Sequence, residues 1–115
     1  MASIQDLKGD YHDTKARLQA CSLPPGQPAF HDGTRALLLN AMNAADFQAR
    51  DALRDAWDFR RRDDIPPRQG DKAIRHAIRT MKAFQERADL YIRFVDDRAD
   101  RRNRTAEFET WMDTL

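Results

Sequence analysis

The stretch DKAIRHAIRTMKAFQERADLYIRFV, residues 71–95, decides the fold. Within it Ile74, Ile78, Met81, Phe84, Ala88, Tyr91, Ile92 and Val95 recur mainly at spacings of three and four. That spacing gathers apolar side chains on one side of an α-helix and predicts a buried stripe. Lys72, Arg75, Arg79 and Lys82 repeat at three and four on the roughly opposite side. The segment is therefore an amphipathic helix, with Asp71 as its candidate cap after the break Asp63-Asp64-Ile65-Pro66-Pro67-Arg68-Gln69-Gly70.

Downstream, Lys82 with Glu86, Asp89 with Arg93, Arg93 with Asp97, Asp97 with Arg101, and Asp100 with Arg104 are i,i+4 pairs of opposite sign. Each contributes only about 0.2–0.5 kcal/mol, but together they carry the helix to about residue 103. Thr105 can then cap a short last helix, about 105–114, with Phe108, Trp111, Met112 and Leu115 on one face; the other reading is that the third helix continues.

Upstream, Ser3 with Asp6 marks a helix start, and Ile4, Leu7, Tyr11, Thr14, Leu18 and Cys21 follow at alternating spacings of three and four. This predicts a first helix over about 3–22, ended by Leu23-Pro24-Pro25-Gly26-Gln27-Pro28. A second helix, about 32–62, begins at Asp32 or Thr34. Its stripe is Leu38, Met42, Ala45, Ala49, Ala52, Leu53, Ala56 and Phe59, with Phe47 and Trp57 off it. The alanines let a neighbouring backbone approach closely.

The predicted fold is all-α, a single domain over 1–115: an elongated antiparallel helical bundle of three long-to-medium helices (3–22, 32–62, 71–103) plus the short C-terminal helix. The first and last helices are too short to cover the long pair, so self-association is an expectation of the fold.

Composition narrows the class. The chain is 41% hydrophobic and 34% charged, with a mean hydropathy of −0.84 and net charge +1. No run approaches the roughly 20 apolar residues of a membrane span, and Asp6, Asp10 and Asp13 interrupt any signal-peptide core. A cytoplasmic location is expected, and the single cysteine, Cys21, fits a reducing compartment. Arginine dominates lysine and aspartate dominates glutamate, a bias of GC-rich bacterial or phage genomes.

No catalytic set emerges. Asp96-Asp97-Arg98-Ala99-Asp100 resembles the DDxxD motif of isoprenoid synthases, whose helical carboxylates hold magnesium against a diphosphate. Those enzymes are far larger and carry a second acidic motif on an opposing helix, which this chain lacks. Each of these carboxylates has an arginine at helical spacing, so the segment reads as a solvated ion-pair face. His12, His31 and His76 sit on separate segments without zinc-ligand spacing, and no glycine-rich phosphate cradle occurs. The expectation is a protein that is not an enzyme, with no metal and no cofactor.

Charge distribution and misplaced apolar residues say more. Residues 1–58 carry six positive and eight negative side chains, residues 59–104 fourteen and eight, and residues 105–115 three negatives. The basic middle includes Arg60, Arg61, Arg62, Arg68, Lys72, Arg75, Arg79 and Lys82, a strip able to track phosphates. Leu90 and Phe94 lie opposite the core stripe, rimmed by Arg87 and Arg101, the composition of an interface centre, and Trp111 and Met112 extend it. The leading expectation is a non-catalytic protein–protein interaction module, an assembling subunit, adaptor or inhibitor of a larger bacterial or phage complex. The alternative is a nucleic-acid-binding subunit that uses the basic strip.

Overall fold

The computed structural model describes residues 3–27 and 33–114. Three helices account for the secondary structure: α1 (Ile4–Ala20), α2 (Gly33–Arg61) and α3 (Pro67–Asp113), with no strand among the described residues.

Helix α1 starts where its capping residues require. The Ser3 hydroxyl accepts from the Asp6 amide (3.1 Å) while the Asp6 carboxylate accepts from the Ser3 amide (3.0 Å), a reciprocal capping box. The Ser3 backbone hydrogen bond, followed by the side-chain one, holds the Asp6 carboxyl below the usual carboxylate range. Replacing Ser3 with Ala is expected to cost about 1 kcal/mol, read as a lower melting temperature of the whole protein.

Helix α2 is the outgoing arm of a hairpin and α3 the return. At the open end the Arg35 guanidinium lies 5.9 Å from the centre of the Tyr91 ring. At the closed end Ala52, Asp55 and Phe59 face Gln69, Lys72, Ala73 and His76. Between them Ala49, Ala56, Ala77 and Ala88 have no exposed surface, so small residues bring the two backbones together. Met42, Met81 and Phe84 fill the remaining space.

Helix α1 lies along this pair, parallel to α3. Leu7 and Leu18 are buried, and the Tyr11 ring packs 5.6 Å from that of Phe84. Thr14 is 2% exposed, and its hydroxyl donates to the Asp10 carbonyl at 2.7 Å, so a polar residue is tolerated in the seam. Tyr11 Oη donates to Asp46 at 2.7 Å and Lys15 donates to the other oxygen of the same carboxylate at 2.9 Å. Past α1 the chain is pinned to α3 twice. Tyr91 Oη donates to the Leu23 carbonyl (2.7 Å), and the Ser22 amide donates to Asp96 (2.9 Å).

Two expectations need correction. The short C-terminal helix is not a separate element, because α3 runs unbroken for 47 residues through Asn103 and Thr105. Nothing there breaks a helix, since both residues lower propensity slightly and neither glycine nor proline intervenes. Helix α3 also begins at Pro67, not Asp71. Proline at the first helical position has no amide to leave unpaired, and the amides of Gln69 and Gly70 donate back to the Pro66 carbonyl. Helices α1 and α2 come within two residues of their expected ends. Asp32 lies outside the described residues, and Thr34 sits inside α2.

At 1.5 Å per residue α2 is about 44 Å long and α3 about 70 Å. The molecule measures 76 × 25 × 17 Å, so α3 sets its length. The reason for the overhang is in the seam. Ala77, Met81, Phe84, Ala88, Tyr91 and Val95 are buried, but the same spacing continues into Arg98, Arg102, Thr105 and Glu109. With no apolar seam left to cover, neither α1 nor α2 accompanies α3 beyond it, and residues 101–114 are exposed throughout.

Candidate interaction surface on α3

The side of α3 turned away from α1 and α2 carries two unlike zones. Near its start Arg68, Arg75, Arg79 and Lys82 are exposed, as is Lys72, which also lines the groove toward α2, and none of the five forms an ion pair among the described residues. The neighbouring arginines are less free. Arg62 pairs with Asp64 at 2.8 Å and with Asp58 at 3.8 Å, while Arg61 stacks on the Trp57 ring at 4.6 Å. Arg60 is exposed. The Asp64 hydrogen bonds raise the Arg62 pKa and lower that of Asp64.

Farther along, the outer side becomes apolar. Leu90 is 44% exposed, Phe108 55%, Trp111 60% and Met112 45%, and the rings of Phe108 and Trp111 sit 6.0 Å apart. Arg87 and Arg101 are exposed beside them. Phe94 differs from its neighbours, because its ring is half-buried against the core cluster and lies 5.0 Å beneath the Arg98 guanidinium. Leu115 lies outside the described residues.

Sequence reasoning passed over Asp97 and Arg104 as members of this surface and placed Phe108 only on the terminal face. Arg87, Leu90, Phe94, Asp97, Arg101, Arg104, Phe108 and Trp111 follow at alternating spacings of three and four, a second, mixed apolar and charged seam along a flank of α3 that only Phe94 ties to the core. Asp97, Arg104 and Phe108 belong to it. The charges of Asp97 and Arg104 hid the row, because apolar residues alone do not trace it.

The acidic segment 96–100 has other partners. The Asp96 carboxylate accepts from the Ser22 amide, and Asp97 pairs with Arg101 at 3.6 Å. Asp89 turns to Arg17 of α1. No cluster of potential metal ligands occurs among the described residues. The Cys21 thiol donates to the Leu18 carbonyl, and burial pushes its pKa up, which keeps it protonated. A shallow groove of about 300 Å³ at the hairpin end holds Asp55 and His76 among apolar neighbours. None of these features assembles a nucleophile, a base and an orienting group.

No helix is long and apolar enough to cross a membrane among the described residues. Compared with protein families, curated proteins and solved structures, the chain matches none.

Proposed function

We propose that the protein is a non-catalytic interaction module whose working surface is the outer side of α3. It fits an elongated cytoplasmic bundle that assembles with, or inhibits, a larger complex. The observation that carries this reading is the exposed Phe108, Trp111 and Met112 on a helical segment that nothing among the described residues covers. Aromatic and methionine side chains concentrated on one exposed face mark a surface that another molecule covers. Leu90 and Phe94 continue it toward the body, with Arg87 and Arg101 at its rim.

Changing Trp111 and Met112 to Ser is expected to leave the unfolding free energy within about 0.5 kcal/mol of the parent, since neither residue supports the core. A photo-activatable side chain at position 111 is expected to capture protein in cells, whereas one at Gln48, exposed on α2, captures little. Absence of protein adducts at position 111 would contradict the proposal.

A second reading rests on the unpaired, aligned Lys72, Arg75, Arg79 and Lys82, which suit a nucleic-acid backbone. Four phosphate contacts predict that affinity for an oligonucleotide falls roughly 10²-fold between about 50 and 200 mM salt. Fluorescence anisotropy measures this, and replacing all four residues with Glu is expected to abolish binding. Unchanged binding in that variant would remove the second reading.

A further inference from the structure

We infer that the outer side of α3 pairs antiparallel with the same side of a second copy of the chain, about a two-fold axis level with Ala99. The inference rests on the reading of that side as a protein-binding surface and names its occupant. Along the seam from Arg87 to Trp111 the exposed Leu90, Phe108 and Trp111 alternate at helical spacing with Arg87, Asp97, Arg101 and Arg104, so a helix that covers it must match both its apolar and its charged positions.

The charges choose direction and register. With the axis at Ala99, Asp97 faces Arg101 of the second copy and Arg101 faces its Asp97. One step outward, Arg104 meets the part of the Phe94 ring left open by the core and by Arg98 of its own chain, a guanidinium beside an aromatic ring. Beyond that Leu90 meets Phe108, and at the ends Arg87 meets Trp111. Every layer is therefore either apolar, oppositely charged or cation on ring. A parallel pairing would instead set Asp97, Arg101 and Arg104 each against its own copy. Shifting the antiparallel register by one heptad would set Arg104 against Arg101 or against Arg87. Like charges in these layers select against both arrangements.

The shape permits it. Helices α1 and α2 lie on other sides of α3, and the free end beyond residue 100 gives the second copy room to lie alongside. The two bodies then sit at opposite ends of the shared segment. Two molecules 76 Å long that overlap over roughly 28 residues, at 1.5 Å each, give a particle about 110 Å long. The seam is short and its centre is charged, so the interface is smaller than the standard size and dimerisation is expected at roughly micromolar concentration.

The test is sedimentation equilibrium of the full chain from about 1 to 300 µM, with far-UV circular dichroism to confirm folding. The native protein is expected to dimerise. Asp97→Arg alone and Arg101→Asp alone are each expected to weaken the dimer at least about tenfold, because each sets like charges face to face. The combined variant is expected to recover the native affinity, since the two positions oppose each other only in this register. A native protein that stays monomeric overturns the inference, as does a dimer indifferent to the single changes or not restored by the pair. A monomeric chain that still forms photo-adducts with other proteins at position 111 overturns self-pairing and leaves the interaction surface standing. A monomeric chain without adducts overturns both.

Discussion

Phe84→Ala is expected to lower the unfolding free energy by about 3–5 kcal/mol, the largest effect of any single truncation in the chain. Phe84 has no exposed surface, stands midway along the core seam of α3, meets the Tyr11 ring of α1, and belongs to one core cluster with the buried residues of α2. Removing its ring leaves a cavity where all three helices meet, and the small alanines around it have no atoms to move into the space. Stability of this size is a large part of the roughly 5–15 kcal/mol that holds a small domain together. Urea denaturation at 25 °C measures the loss. Phe108→Ala, the same change on the overhanging end, is expected to stay within about 0.5 kcal/mol of the parent. A loss below about 1 kcal/mol at Phe84, or a comparable loss at Phe108, would contradict the assignment of core and surface.

The second large effect is a loss of stability in alkaline solution. Both tyrosines are held in the protonated form by the fold. Burial, reinforced by the hydrogen bond and nearby charge of Asp46, pushes Tyr11 from 10.0 up to about 12. Burial also raises Tyr91, whose hydroxyl donates to the Leu23 carbonyl. In the unfolded chain both ionise near pH 10. The native state therefore binds protons that the unfolded state releases, and stability falls as pH rises. The contribution is complete below about pH 10 and lost progressively toward pH 12 as Tyr11 reaches its native pKa. The expected result is tyrosinate absorbance that appears together with loss of helical dichroism. Tyrosine ionisation centred near pH 10 with the helices intact would show that neither hydroxyl is held as described.

The core was legible in the residues because each seam is apolar and regular. Leu7 and Leu18, Ala45, Ala49, Ala52 and Ala56 of α2, and Met81, Phe84, Ala88, Tyr91 and Val95 of α3 are buried as their spacing requires, while Ile74, Ile78 and Ile92 of the same stripe are partly buried. The ends of helices were less legible. Thr105 is a residue type that caps helices, though without the acidic partner that Asp6 gives Ser3, and its type alone does not separate a cap from an interior residue. Pro66-Pro67 reads equally as a break or as the first turn, and the break in fact ends at Pro66, with Pro67 already the first helical residue. On the candidate surface, Leu90, Trp111 and Met112 stood out as apolar residues away from the core, and they are exposed. Phe94 reads the same way on a helical wheel, yet its ring reaches back toward the core beneath Arg98, which spacing alone does not reveal. The second seam was the hardest feature to read, because four of its eight positions are charged, three of them at its centre, and a hydrophobic pattern skips them.

The central claim is that α3 runs straight past the body, carrying its outer face into solvent. The most direct test is the electron–electron distance between spin labels placed by Glu86→Cys and Glu109→Cys in a Cys21→Ser background, with labelled protein diluted into unlabelled protein so that only intramolecular distances register. A continuous helix places these exposed positions 23 residues apart, about 35 Å. A distance near 35 Å is the expected result. A distance of about 20 Å or less would mean that the C-terminal segment folds back on the body, and the exposed face would then be part of the core.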